Sequence, residues 1–159
     1  IYPPELRDYS YITDNTYTTN EIKDMEIKIL QKLDFNTTIT TPLKFLQILT
    51  KNMDLSETVV LFAEYLLDLS LLDVKMIKYL PSEVAAAAVF LAIKTCDEKN
   101  RLEEILENSR KEEKEVKQCA QDLIQLCLKY EKHSLKSVRQ KYSQRKYKSV
   151  AKMKICEKI

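Results

Sequence analysis

The chain has 159 residues, 45% of them hydrophobic, which suffices for one domain with a buried core, or for one domain and part of another. It contains no glycine, so GxGxxG and Walker-type phosphate cradles are excluded, and with them the nucleotide-binding enzymes built on those loops. The net charge of +2 hides a split: residues 134–159 hold nine Lys and Arg against Glu157 alone, whereas residues 1–133 hold 17 basic and 23 acidic side chains.

The first segment, IYPPELRDYSYITDNTYT, gathers four of the nine tyrosines. Proline suits the first turn of a helix and not its interior, so Pro3-Pro4 should end any preceding helix and launch a short one through about Tyr11. Tyr9 and Tyr11, two residues apart, do not share one narrow helix face. Thr18 and Glu21 have capping-box spacing, and Ile22, Met25, Ile29 and Leu33 follow with helical period, which predicts an amphipathic helix over 19–34. Residues 35–40, FNTTIT, have no helical period and read as a linker. Without glycine, turns that need positive φ fall to Asn or Asp.

Thr41-Pro42 pairs an N-cap residue with proline at the first helical position, which starts a helix through about Met53. Over 56–73, Glu57, Glu64 and Asp68 share one stripe and apolar residues cover the rest, as in a mostly buried helix. Pro81-Ser82 opens a further helix whose stretch VAAAAVFLAI is apolar all round, the pattern of a central helix, with Ala85, Ala86, Ala87 and Ala88 permitting close approach of its neighbours. A weaker helix spans about 101–107. Ser109 and Glu112 have capping-box spacing ahead of a stripe formed by Val116, Cys119, Ala120, Leu123, Cys127 and Tyr130. Residues 41–132 thus hold about five helices. The longest apolar run, residues 84–93, is about half a membrane span.

Catalysis and metal binding have little to stand on. His133 is the only histidine, and Cys96, Cys119, Cys127 and Cys156 lack zinc-ligand spacing, so they read as reduced thiols of an intracellular protein. Glu103-Glu104 and Glu112-Glu113 read as solvated acids at helix starts. No cofactor or metal is expected, and no enzymatic role.

Six motifs in order carry a family resemblance: IYPPELRDYSYITDNTYT, MEIKIL, LSLLD, YLPSEVAAAAVFLA, VRQKY and KYKSV. Together they resemble the C-terminal portion of an A/B-type (mitotic) cyclin over almost the whole chain. The resemblance implies an all-α cyclin fold, with one complete five-helix cyclin box preceded by the last two helices of another. Residues 1–35 would end the first box, 36–40 link, 41–133 form the second box and 134–159 form a basic C-terminal extension. It also implies a non-catalytic, activating subunit of a cyclin-dependent protein kinase acting near G2/M, in the nucleus or cytoplasm, with Ile1, Tyr2, Tyr9 and Tyr11 facing the kinase. The Lys and Glu that grip the kinase in such cyclins would lie N-terminal to Ile1.

In the extension, Tyr142 and Tyr147 would anchor the segments 137–142 and 146–150 to the body, leaving 152–159 dispensable. A cyclin-fold, nucleic-acid-associated transcription adaptor is the alternative suggested by the basic tail. The acidic body and the lack of a glycine-aromatic RNA-binding pattern argue against direct nucleic-acid contact.

Overall fold

The computed structural model describes residues 2–159, which form helices and 3₁₀ turns, with no strand among the described residues. Two compact units divide the chain, residues 1–39 and 40–159.

The first unit holds α1 (Leu6–Ile12) and α2 (Thr19–Lys32). Pro3 and Pro4 precede α1 in extended backbone, and Glu5 is its N-cap, its backbone N–H donating to the Asp8 carboxylate at 2.7 Å. α2 starts as a reciprocal capping box: the Glu21 N–H donates to Thr18 Oγ1, and the Thr18 N–H donates back to the Glu21 carboxylate. Those contacts hold the Glu21 carboxyl below its usual range, the Thr18 backbone bond first. Neither helix has a buried residue within this unit.

The second unit is built around α5 (Pro81–Thr95), in which residues 84–93 are all buried. α3 (Pro42–Lys51), α4 (Glu57–Ser70), α6 (Leu102–Ser109) and α7 (Glu113–Glu131) all pack on α5. A helix apolar on every side is stable only when so enclosed. The alanines at 85–88 leave room for the larger Phe62, Leu66, Ile105 and Leu123, which are fully buried in the same core. Ser56 caps α4, its hydroxyl accepting the Val59 N–H. Cys119 and Cys127 lie in the core on α7, where burial pushes their thiols up to about 12 and about 11. They are therefore poor nucleophiles.

The structure corrects three expectations. The capping box at Ser109 does not form. Ser109 ends α6 with its hydroxyl bonded back to the Leu106 carbonyl, and Glu112 is the N-cap of α7. The sharp reversal between the helices is made by Arg110 at φ 52°, so the next helix cannot begin at Ser109.

Positive φ is also not confined to Asn and Asp. Asp14, Asn15, Asp34 and Asp97 adopt it, but so do Phe35, Arg110, Lys148 and Ser149. Local hydrogen bonds hold some of these turns, as where the Phe35 N–H reaches the Leu30 carbonyl at 2.8 Å and the Ser149 hydroxyl donates to the Ser143 carbonyl.

Residues 152–159, finally, are not a dispensable end. Val150, Ala151 and Ile155 are buried in the core, and the Cys156 N–H donates to Thr95 Oγ1 at the end of α5. The expected anchor is present upstream: Tyr142, on α8 (Ser137–Tyr142), is buried with its ring 5.4 Å from that of Tyr65 and 5.0 Å from that of Tyr147. Three tail cations also meet acids of the body: Lys141–Asp68 at 2.8 Å, Lys148–Glu57 at 2.6 Å and Arg139–Glu131 at 3.7 Å. Exposed pairs contribute at most about 1 kcal/mol each. The apolar anchors therefore carry most of the docking energy.

Candidate partner-binding face

The short loop between α1 and α2 is pinned by side chains. Ser10 Oγ donates to the Tyr17 carbonyl at 2.6 Å, and Thr13 Oγ1 donates to the Ser10 carbonyl while accepting the Tyr17 N–H. This fixes the backbone of Tyr17 against α1.

A shallow groove of about 740 Å³ then opens within the first unit, lined by Leu6, Tyr9, Tyr17, Ile22, Met25 and Ile29 among others. Its walls are mostly apolar, and Met25 and Ile29 stand about half exposed along it. An apolar surface of this kind on a polar chain marks a binding face rather than a reaction site.

The four residues expected to face a partner are placed differently from one another. Tyr9, 46% exposed, lines the groove. Tyr2 and Tyr11, 96% and 76% exposed, do not line it. Ile1 lies outside the described residues. The structure thus brings Tyr9 together with Tyr17 and separates it from Tyr11, as expected for positions two apart on a helix.

Tyr17 is the groove residue that the sequence reading passed over. A signal for it exists: Tyr17 precedes the Thr18 N-cap and Ile22 stands at the fourth helical position, the spacing of a hydrophobic staple.

The rest of the described residues offer no group of three or more His, Cys, Asp and Glu side chains able to hold a metal. No described helix is long and apolar enough to cross a membrane. His133 follows the end of α7, with its Nδ1 accepting the Leu135 N–H at 3.1 Å and its ring beside that of Tyr130. No nucleophile stands next to it there. The chemistry on display is contact chemistry: aromatic rings with free hydroxyls and an apolar trough.

A family description for the cyclin C-terminal domain matches residues 40–155, and one for the cyclin N-terminal domain matches residues 1–38. With an all-α bundle wrapped around a central apolar helix, the chain belongs to the cyclin family. Its relatives narrow the type to the mitotic A and B cyclins. It is 37% identical over 153 residues to the G2/mitotic-specific cyclin-B of Spisula solidissima, a match covering 96% of this chain and 36% of that protein. It is 35% identical over 152 residues to the G2/mitotic-specific cyclin-A of Patella vulgata, covering 95% of this chain and 36% of the relative. The Cyclin-A1-2 of Arabidopsis thaliana is 40% identical over 160 residues, again 96% of this chain and 36% of the relative. The chain thus spans a little over a third of the length of these relatives.

Proposed function

We propose that this chain is the C-terminal part of a non-catalytic, activating subunit of a cyclin-dependent protein kinase, acting in cell-cycle control around the G2-to-mitosis transition in the nucleus or cytoplasm. The observation that carries this reading is the match of nearly the whole chain to proteins named as G2/mitotic-specific cyclins of both A and B type.

In this reading, residues 1–35 end the first cyclin box, 36–40 link, 41–133 form the second box and 134–159 extend it. Ile1, Tyr2, Tyr9 and Tyr11 face the kinase, with Tyr9 foremost. The exposure of Tyr2, Tyr9 and Tyr11 on a proline-led helix supports their use in contacts outside the chain. Exposed aromatics of this kind are frequent anchors of protein interfaces, because a ring buries much area and holds few rotamers.

Regulation follows from differential binding. Contacts that fit only the active arrangement of a kinase's regulatory helix shift its population toward the catalytic state. The cyclin itself moves no bond or proton. In the full-length protein, Tyr9→Ala should weaken binding to a purified cyclin-dependent kinase by about 1–2 kcal/mol, read by titration calorimetry, without a matching drop in the cyclin's own Tm. Unchanged binding together with a lowered Tm would make Tyr9 a core residue and move the interface elsewhere.

A further inference from the structure

The second unit carries an apolar surface that its own core does not use. Leu71 and Ile77 are 77% and 78% exposed, and Val74 between them is exposed nearly as much. Large aliphatic side chains this exposed usually stand singly, whereas these three cluster where α4 gives way to the 3₁₀ turn Val74–Lys78.

Two grooves meet there and share Pro42 and Leu71. One, of about 590 Å³, runs past Val74, Ile77 and Tyr79; the other, of about 390 Å³, runs past Leu43 and Glu64 to Tyr142. An elongated trough with a shared waist suits a peptide segment rather than a compact small molecule.

The second groove also carries an unbalanced charge. Asp68 and Lys141 both line it but are engaged with each other at 2.8 Å. Glu64 lines the same wall, is half-buried, and makes no ion pair or side-chain hydrogen bond among the described residues. Burial raises its carboxyl above the usual range, and the neighbouring Asp68 charge adds to this against the pull of Lys141. A partly desolvated carboxylate beside an apolar trough is completed by a cation arriving from outside.

We infer that this double groove on the second unit docks a peptide segment of another protein, one presenting apolar side chains to Leu43, Leu71 and Ile77 and a single Arg or Lys to Glu64. The inference does not rest on the kinase reading, since none of its residues belongs to the α1–α2 face. The charge complement excludes an acidic or phosphorylated segment as the favoured occupant, because such a segment would meet Glu64 with like charge.

The test is selection of a phage-displayed library of random dodecapeptides on the whole chain, with counter-selection on Leu71→Asp. Leu71 is solvent-facing, so that variant keeps the core, which circular dichroism verifies. Enriched peptides should combine apolar residues with one Arg or Lys, bind the parent and not Leu71→Asp, and lose about tenfold affinity or more on Glu64→Gln, as for removal of a charged hydrogen-bond partner. Three results would overturn the inference. The first is enrichment of peptides without a basic residue, or of peptides indifferent to Glu64→Gln. The second is no enrichment over Leu71→Asp, as expected if the trough is covered by the protein itself. The third is self-association of the chain in sedimentation that Leu71→Asp abolishes, which would give the groove to a second copy.

Discussion

The two units use the same kind of amphipathic helix to different ends. In residues 40–159, the apolar stripes of α3, α4, α6 and α7 converge on α5, and almost every large aliphatic side chain on those stripes is lost from solvent. In residues 2–39, the stripe of α2 is equally periodic, yet Met25, Ile29 and Leu33 remain about half exposed and no helix residue is buried within the unit. Periodicity therefore specifies which face a helix will bury, not whether the unit supplies something to bury it against. Stability should follow the second property, with local capping holding the first unit and packing holding the second.

The largest expected effect tests the packed half. Leu91→Ala removes a fully buried side chain from α5 and should cost about 2–5 kcal/mol in denaturant unfolding of the second unit. Leu substitutions at Ala86 or Ala87 should cost about 1–3 kcal/mol there by overpacking. If α5 variants melted like the parent, the contrast between the units would fail.

Truncation of residues 152–159 comes next. It strips Ile155 from the core and the bond to Thr95 from the end of α5, so a loss of about 2 kcal/mol or more is expected in the same unfolding measurement. An unchanged transition would show that the end of the chain is an ornament on the bundle.

Two matched caps sharpen the comparison. Thr18→Ala and Ser56→Ala each remove a hydroxyl that accepts a helix N–H and should each cost about 1 kcal/mol of local helix stability. Hydrogen exchange should show the Ser56 loss throughout the second unit, and the Thr18 loss only in the amides of α2. Identical spread from both sites would mean that the two units unfold together.

The smallest effect is a pH signature. The Glu64 carboxyl is raised above the ordinary 4.5, so its contribution to stability is full below that value, where it is protonated in both states, and falls as pH rises through the folded-state value. Glu64→Gln should therefore raise the Tm slightly at neutral pH and lose that advantage in acid. A Tm gain that persists at low pH would assign the effect to packing instead.

Much of this fold is readable in the residues. Thr41-Pro42, Ser56 and Pro81 mark helix starts that the structure places within a residue, and the VAAAAVFLAI run announces the central helix because no other packing hides an all-round apolar surface. The end of the chain was harder to read. Its lysines dominate the composition, and the buried Val150, Ala151 and Ile155 sit among them in 3₁₀ and extended backbone, where helical periodicity carries no information. Ser109 misled for a related reason: a serine three residues before an acid fits a cap, but the same hydroxyl can close the preceding helix, and sequence alone does not rank the two. At the candidate face, spacing separated Tyr9 from Tyr11, whereas the partnership of Tyr9 with Tyr17 arises from a loop whose hydrogen bonds no periodic pattern reports.

The reversals at Arg110 and Ser149 bear on the unfolded chain as much as on the native one. Each left-handed residue other than glycine holds about 1–2 kcal/mol of steric strain in the native state. A glycine there would relieve that strain, but it would also widen the range of unfolded conformations, opposing folding by about 0.4–1 kcal/mol. The two terms nearly cancel. A protein can thus turn sharply without glycine at little net loss, while its denatured ensemble stays narrower than that of a glycine-containing chain of equal length.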